Sequence, residues 1–189
     1  FLVGEHADIE RLNGTFVETG ILTPDRVRFA NLITLPALLA QGEISVLHQA
    51  DFGARFFDLV HVRNRYATRT IPATGQIHTL SYANMMTEYL KGVLIRTRPC
   101  DAVFCSSIPG REVVRRHLAA LHEQLTSRGF EDGELSIEMP HVPLGVDVAS
   151  LAGGDRSKGR ALMGAPKDAV VVFGMARFTE YDKMDLFPL

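Results

Sequence analysis

The chain has 189 residues, of which 46% are hydrophobic and 22% charged, the composition of an ordinary globular protein. Its 20 lysines and arginines against 22 acidic residues give a formal net charge of −2, which excludes a nucleic-acid binder that depends on global positive charge. No apolar run approaches the ~18 residues of a membrane span, and no signal-peptide pattern opens the sequence. A cytoplasmic protein is therefore expected, without nucleic acid as a partner.

The two cysteines, Cys100 and Cys105, are predicted to be free thiols. They lie five residues apart across an apparent strand, where their side chains point to opposite faces, so a disulfide between them is not expected. Reduced thiols are typical of the cytosol.

The first part of the chain alternates short apolar runs with amphipathic segments. Glycine and proline mark the boundaries between them, because both residues interrupt regular structure. The predicted elements are a strand or hairpin arm at residues 14–22, a helix at 29–41 that kinks or restarts at Pro36 and ends at Gly42, a buried strand at 44–48, and an amphipathic helix at 52–66.

The same alternation continues to about residue 129, and a polar stretch follows it. The predicted elements are a strand end in Gly75–Leu80, a helix with a core stripe of Tyr82, Met86 and Tyr89, a buried strand at 101–105, a long helix capped by Ser106-Ser107 with Pro109 in its first turn, a short helix at 157–163, and a strand at 169–174.

Short apolar strands that alternate with helices predict an α/β fold. Such strands run parallel and are buried on both faces by crossover helices, which gives a Rossmann-like, doubly wound sheet. We expect one domain over residues 1–147, then a linker and the first strand of a second Rossmann-like domain over 148–189. Both ends look cut, so the sequence is interpreted as a piece of a larger protein.

Ligands of doubly wound sheets bind outside the carboxyl ends of the strands. His48, His78 and Ser106 lie at or just past three predicted strand ends, which makes them candidate site residues. Each also has a structural interpretation: a packed core histidine for His48, a histidine that satisfies a strand-end carbonyl for His78, and a helix cap for Ser106.

Several common chemical signatures are absent from the sequence. It contains no P-loop pattern, no G-x-G-x-x-G, no H-E-x-x-H and no D-x-D, so neither a metal site nor a classical dinucleotide site is predicted. The string Asp51-Phe52-Gly53 matches a kinase motif, but its companion motifs are missing, and we interpret it as chance.

Two cations bracket the loop after the last predicted strand. Arg177 and Lys183 are six residues apart, in a strand-to-helix loop where a helix N-terminus adds its dipole. Arginine binds phosphate oxygens bidentately and lysine supplies a point charge. A diphosphate clamp is one interpretation of this pair, and a solvated loop is the other.

Several segments together resemble the retaining glycosyltransferases of the GT-B fold. The group they resemble is the one classified as group 1 or family 4. Each motif is short, but their order and spacing agree with the family from about residue 44 onward. The matching segments are Ile44–His48, Pro72–Thr79 with its His78, Asp101–Ser107, Pro143-Leu144-Gly145-Val146-Asp147, and the Arg177–Lys183 pair.

The resemblance implies two Rossmann-like domains that face each other across a cleft. It implies transfer of a sugar from a nucleoside-diphosphate sugar, with retention and without metal or other cofactor, to a carbohydrate, lipid or small-molecule acceptor. His78 would act at the reaction centre, Ser106 would face the acceptor-side cleft, and Arg177 and Lys183 would bind the donor diphosphate. Peripheral membrane contact is left open.

The sequence departs from the family pattern in three ways. Met184 stands where the family usually has glycine, and the glycine-rich loop after the first strand is not recognisable. The paired glutamates that hold the donor would lie beyond Leu189, so this fragment alone is expected to be inactive.

Two rival functions remain open from the sequence. One is another GT-B enzyme, such as a sugar-nucleotide epimerase or a phosphorylase. The other is a non-enzymatic, two-lobed α/β module that binds a small ligand.

Two arginine clusters are interpreted as solvated helix ends: Arg63, Arg65 and Arg69, and Arg111, Arg115 and Arg116. For the cluster of Arg63, Arg65 and Arg69, contact with an acidic acceptor or a membrane surface is the alternative.

Overall fold

The computed structural model describes residues 2–3, 6–20, 29–80, 84–130 and 136–172. The chain divides into two compact units, Phe1–Val142 and Pro143–Leu189. The assignment of residues 1–147 to an acceptor-side domain stays a prediction.

The first unit alternates helices and strands. Its elements, in chain order, are β1 (Leu2–Val3), α1 (His6–Thr19), β2 (Ala30–Asn31), a 3₁₀ turn (Leu32–Thr34), α2 (Leu35–Ala40), β3 (Leu47–Gln49), α3 (Phe56–Tyr66), β4 (Ala73–Ile77), α4 (Met85–Leu94), β5 (Ala102–Cys105) and α5 (Ile108–Thr126). The described part of the second unit contains α6 (Val148–Leu151) and α7 (Arg156–Leu162).

A three-stranded parallel sheet with the order β3-β4-β5 forms the centre of the first unit. Ile77 at the end of β4 pairs with Cys105 at the end of β5. An extended segment continues the sheet beyond β5, since Val103 donates to the Glu138 carbonyl (2.8 Å) and Cys105 to the Pro140 carbonyl (2.9 Å). The prediction of a mixed α/β fold with parallel strands is confirmed.

Helices α3, α4 and α5 cover one face of this sheet. Gly92 on α4 packs against Phe57 of α3 and Leu118 of α5: a Cβ there would lie 2.7 Å from Phe57 and 2.8 Å from Leu118. On β4, the side chains toward the helices are buried, whereas Thr74 and Gln76 on the opposite face are only half-buried. Within the described residues, therefore, one face is closed and the other is half-open, whereas the sequence predicted helices on both.

The predicted strand at residues 14–22 is wrong over the part that the structure describes. Residues 6–19 form helix α1, and residues 21–22 lie outside the described ranges. The β-forming Thr15, Phe16 and Val17 suggested a strand, but Ile9, Leu12 and Phe16 follow helical spacing, which better satisfies burial along one stripe. Gly20 then ends the helix with a φ of 63°, a conformation that glycine adopts without strain.

The single helix predicted at residues 29–41 is shorter than expected. The chain first forms β2 and a 3₁₀ turn, and α2 begins only at Leu35, with Pro36 in its first turn. Proline lacks an N–H and is favourable at that position, so it restarts the helix, as expected. The helix ends at Ala40, and the chain turns away two residues later at Gly42, whose φ is 72°. The strand predicted at residues 44–48 is also shorter in the structure, where only Leu47–Gln49 form β3.

Two apolar segments are less buried than their patterns indicated. Met86 is 55% exposed, and Met85 takes the core position beside Tyr89; Tyr82 lies outside the described residues.

In the second unit, residues 169–172 form no strand, and Val170 and Val172 are about nine-tenths exposed. A strand is stabilised by pairing with a neighbour, and residues 169–172 have no strand partner within the described ranges.

A buried ion pair joins α3 to the end of the loop before β5. Arg63 and Asp101 are both completely buried, and the guanidinium binds both carboxylate oxygens, with Nη2 at 2.7 Å from Oδ2. The prediction of a solvated helix end is therefore wrong for Arg63. Its long side chain follows Phe56, Leu59 and Val60 on the core face of α3 and carries a charge inward, which only an equally buried counter-charge makes tolerable.

The Asp101 carboxylate also orders the backbone around it. It accepts from the backbone N–H of Ala73 (2.8 Å) and from that of Arg98 (2.9 Å), while Arg63 donates to the Ile71 carbonyl (2.9 Å). The start of β4 and the start of β5 are thus fixed to one carboxylate.

We expect Asp101→Ala to cost about 3–5 kcal/mol of unfolding free energy, because the Arg63 charge stays buried without its partner. Replacement of both partners (Arg63→Met with Asp101→Leu) should recover only part of that loss. No buried charge then remains, but the N–H groups of Ala73 and Arg98 lose their acceptor. Urea unfolding followed by circular dichroism measures both.

Glu112→Ala is the matched control, because Glu112 binds Arg115 and Arg116 on the exposed surface of α5, where ion pairs contribute little. An Asp101→Ala loss as small as that of the control would contradict the role given to the buried pair.

Candidate functional site

The carboxyl edge of the sheet brings together two of the predicted site residues. Ile77 and Cys105 are paired on neighbouring parallel strands, and the next residues along the chain are His78 and Ser106. His78 and Ser106 therefore occupy neighbouring positions just beyond the two strand ends. The side chain of His78 is exposed and that of Ser106 is half-buried. An imidazole and a hydroxyl therefore lie at adjacent positions on the edge where α/β sheets bind their ligands.

A third polar residue, Asp51, lies at the same edge and was missed as a site candidate in the sequence. The Phe52 N–H donates to the Gln76 carbonyl (2.7 Å), which holds the segment after β3 beside the end of β4. The Asp51 Oδ1 accepts from the Gly53 N–H (3.0 Å), and this bond orients the carboxylate. The strand-end rule that selected His78 and Ser106 could also have selected Asp51.

The hydroxyl that caps α5 belongs to Ser107 and not to Ser106. The Gly110 N–H donates to the Ser107 Oγ at 3.1 Å, and Pro109 occupies the first turn, as the sequence predicted. A Cβ at residue 110 would lie 2.9 Å from that Oγ, so the missing side chain lets the cap close. Ser106 is thereby left without a capping role.

Cys105 lies directly before Ser106 but is not suited to nucleophilic chemistry. Its thiol is buried and donates to the Val103 carbonyl (3.4 Å). Burial raises the pKa of the Cys105 thiol, and the nearby Arg111 offsets this only in part, so the reactive thiolate is disfavoured near neutral pH. Cys100 is exposed and both cysteines are free, which confirms the prediction of two unpaired thiols.

His48 differs from its predicted position as a strand-end core residue. It lies within β3 rather than at its end, its side chain is exposed, and its Nδ1 is 2.9 Å from the Thr74 Oγ1. The structure thus places His48 on the half-open face of the sheet and away from the edge that carries His78.

The two arginine clusters have mostly structural roles. Arg69 donates to the carbonyls of Gly42 (3.0 Å) and Ile44 (3.2 Å), which fixes the turn after α2. Arg115 and Arg116 bind Glu112 and hold the pKa of its carboxyl at about 2. They are exposed, as predicted.

The predicted donor-binding residues, Arg177 and Lys183, lie outside the described residues. Within the described ranges, no group of three or more histidine, cysteine, aspartate or glutamate side chains is arranged to hold a metal ion, and no helix there is long and apolar enough to cross a membrane. The metal-independent reaction stays a prediction.

Comparison of this chain with protein-family models, with curated proteins and with solved structures finds no significant match.

Substitutions at the two serines should separate their roles. Ser107→Ala removes the cap and should cost about 1 kcal/mol of unfolding free energy, whereas Ser107→Asp should retain most of it. Ser106→Ala should leave the unfolding free energy unchanged within about 0.5 kcal/mol. Urea unfolding measures all three, and an equal loss at both serines would contradict the assignment of the cap to Ser107.

Proposed function

We propose that this chain is part of a retaining, metal-independent glycosyltransferase of the GT-B type. The observation that carries the proposal is the placement of His78 and Ser106 at adjacent ends of two paired parallel strands. The sequence resemblance gives a function to the same two residues, and the exposed imidazole is accessible to a ligand.

His78 would orient the reacting groups by hydrogen bonds to sugar hydroxyls. A neutral imidazole has one donor and one acceptor, which suits a hydroxyl that both gives and takes hydrogen bonds. Ser106 and Asp51 would contact further acceptor hydroxyls, because a carboxylate accepts where a sugar donates.

Arg177 and Lys183 would stabilise the charge that develops on the leaving diphosphate. Cationic groups positioned at such charge replace the divalent ion that a D-x-D enzyme would use, and loss of one typically costs about 10²–10³-fold in rate. The partners would be a nucleotide sugar and a carbohydrate, lipid or small-molecule acceptor.

The donor part of the proposal is tested by calorimetric titration with UDP, GDP and ADP. Because the resemblance implies that part of the donor site follows Leu189, the titration is made on the parent protein that carries those residues. Micromolar affinity for one nucleotide is expected, lost in Arg177→Ala and in Lys183→Ala but kept in Arg156→Ala and Lys158→Ala, which change exposed cations on α7.

No affinity for any of the three nucleotides would reject the glycosyltransferase proposal and favour the non-enzymatic binding module. Release of free nucleoside diphosphate without an acceptor would instead favour other GT-B chemistry.

The acceptor part is tested with His78→Ala in the same protein. We expect acceptor-dependent release of nucleoside diphosphate to fall by about 10²-fold, the scale of losing one positioned hydrogen-bond donor, with nucleotide affinity unchanged. His61→Ala, which changes an exposed histidine on α3, is the control. Full turnover in His78→Ala would exclude His78 from the reaction centre.

A further inference from the structure

Arg111, in the first turn of α5, carries a charge that no described residue neutralises. It is half-buried, and its guanidinium makes no hydrogen bond or ion pair with any residue that the structure describes. The neighbouring carboxylate of Glu112 is bound by Arg115 and Arg116. A cation that is partly withdrawn from water is costly unless it has a counter-charge, so this position favours an anion supplied by a ligand.

The first turn of α5 lies at the carboxyl edge of the sheet. A Cβ at residue 110 would lie 3.8 Å from the Cδ1 of Leu80, and Leu80 follows His78 by two residues. Burial raises the pKa of the Cys105 thiol and the Arg111 charge opposes that rise, so the guanidinium is within electrostatic reach of the end of β5. Arg111 therefore lies at the same edge as His78 and Ser106.

The extended segment beside β5 adds a second histidine to this edge. Cys105 donates to the Pro140 carbonyl (2.9 Å), and Val142 donates to the Cys105 carbonyl (2.9 Å), which sets His141 in register with Cys105. Ile77, Cys105 and His141 thus lie side by side on three neighbouring strands, spaced about 4.8 Å apart. The His141 side chain is exposed and makes no hydrogen bond within the described residues.

The edge is acidic at one end and rich in hydrogen-bond donors at the other. Asp51 follows β3, His78 follows β4 and Ser106 follows β5, with His141 on the outermost segment. A ligand hydroxyl beside His78 would be one or two strand spacings, about 5–10 Å, from the position of Arg111 and His141. That separation suits a small sugar or polyol with one acidic substituent.

We infer that Arg111, His141 and Ser106 bind an anionic group, a phosphate or a carboxylate, on the acceptor. The arginine fork can hold two oxygens of either group, while the serine hydroxyl and an imidazole N–H can donate to further oxygens. The assignment of this anion to the acceptor rests on the proposed glycosyltransferase function. The anion site itself rests on the geometry of the edge.

NMR titration of the labelled parent protein tests the site with two probes, inorganic phosphate and glucuronate. Ionic strength is held constant, so that general screening does not change. We expect saturable shifts of the Arg111 side-chain Nε, the His141 imidazole and the Ser106 amide with at least one probe, and the tighter probe distinguishes phosphate from carboxylate. Absence of saturable shifts with both probes would overturn the inference.

Substitutions on α5 provide the second measurement. Arg111→Ala should weaken binding of the tighter probe by about tenfold or more, the scale of one charge-assisted hydrogen bond. Arg111→Lys keeps the charge without the fork and should give an intermediate affinity. Arg115→Ala changes an exposed arginine that is paired with Glu112 and should leave the affinity within about twofold. Equal weakening in Arg111→Ala and Arg115→Ala would overturn the inference.

Titration of the same protein with UDP, GDP and ADP separates this inference from the proposed function. Nucleotide binding without anion binding would overturn the inference and leave the glycosyltransferase proposal in place. Anion binding without nucleotide binding would reject the glycosyltransferase and, with it, the assignment of the anion to an acceptor.

Discussion

The buried pair of Arg63 and Asp101 is the interaction on which the first unit depends. One carboxylate accepts both arms of a guanidinium from α3 and the backbone N–H groups of Ala73 and Arg98. Two charges withdrawn from water are costly unless each finds partners, and here each does. The pair therefore favours one relative placement of α3, β4 and β5 over others that an apolar core alone would permit.

That placement determines where the residues of the candidate site come together. Asp101 sits at the start of β5 and accepts from the first residue of β4, so the register of the two strands is fixed at their amino ends. Cys105 lies four residues after Asp101, and Ile77 lies four residues after Ala73. These two residues are paired at the ends of β5 and β4, and Ser106 and His78 follow them. A structural ion pair at one edge of the sheet thus aligns the candidate site at the other. The α5 cap at Ser107 then determines how the chain leaves that edge.

Much of this arrangement follows from the sequence because it depends on local signals. The parallel strands, the cap at Ser107, the turn at Gly42 and the free cysteines were all predictable from apolar runs and turn residues. The ion pair was not, because nothing local shows that Arg63 and Asp101, which are 38 residues apart, meet in the core. Helix α1 was missed for a related reason: β-forming side chains set a weak preference that packing overrides.

The candidate site was predictable only in part. Strand ends located His78 and Ser106, but His48 was misplaced because the apolar run before it exceeds the strand, and Asp51 was set aside with a chance motif. The sugar, base and acceptor that the proposed enzyme would use depend on contacts that no short motif encodes, and the proposed roles of Arg177 and Lys183 rest on the family resemblance.

The most direct measurement of the central claim is an NMR titration of the isotopically labelled parent protein with nucleoside-diphosphate sugars, followed at its histidine imidazole signals. If His78 and Ser106 form the reaction centre, one donor, together with an acceptor, shifts the signal of His78 and the amides around Ser106, while the signal of His61 on α3 stays in place. Binding that leaves His78 and Ser106 unperturbed would contradict the assignment of the reaction centre to the carboxyl edge of this sheet.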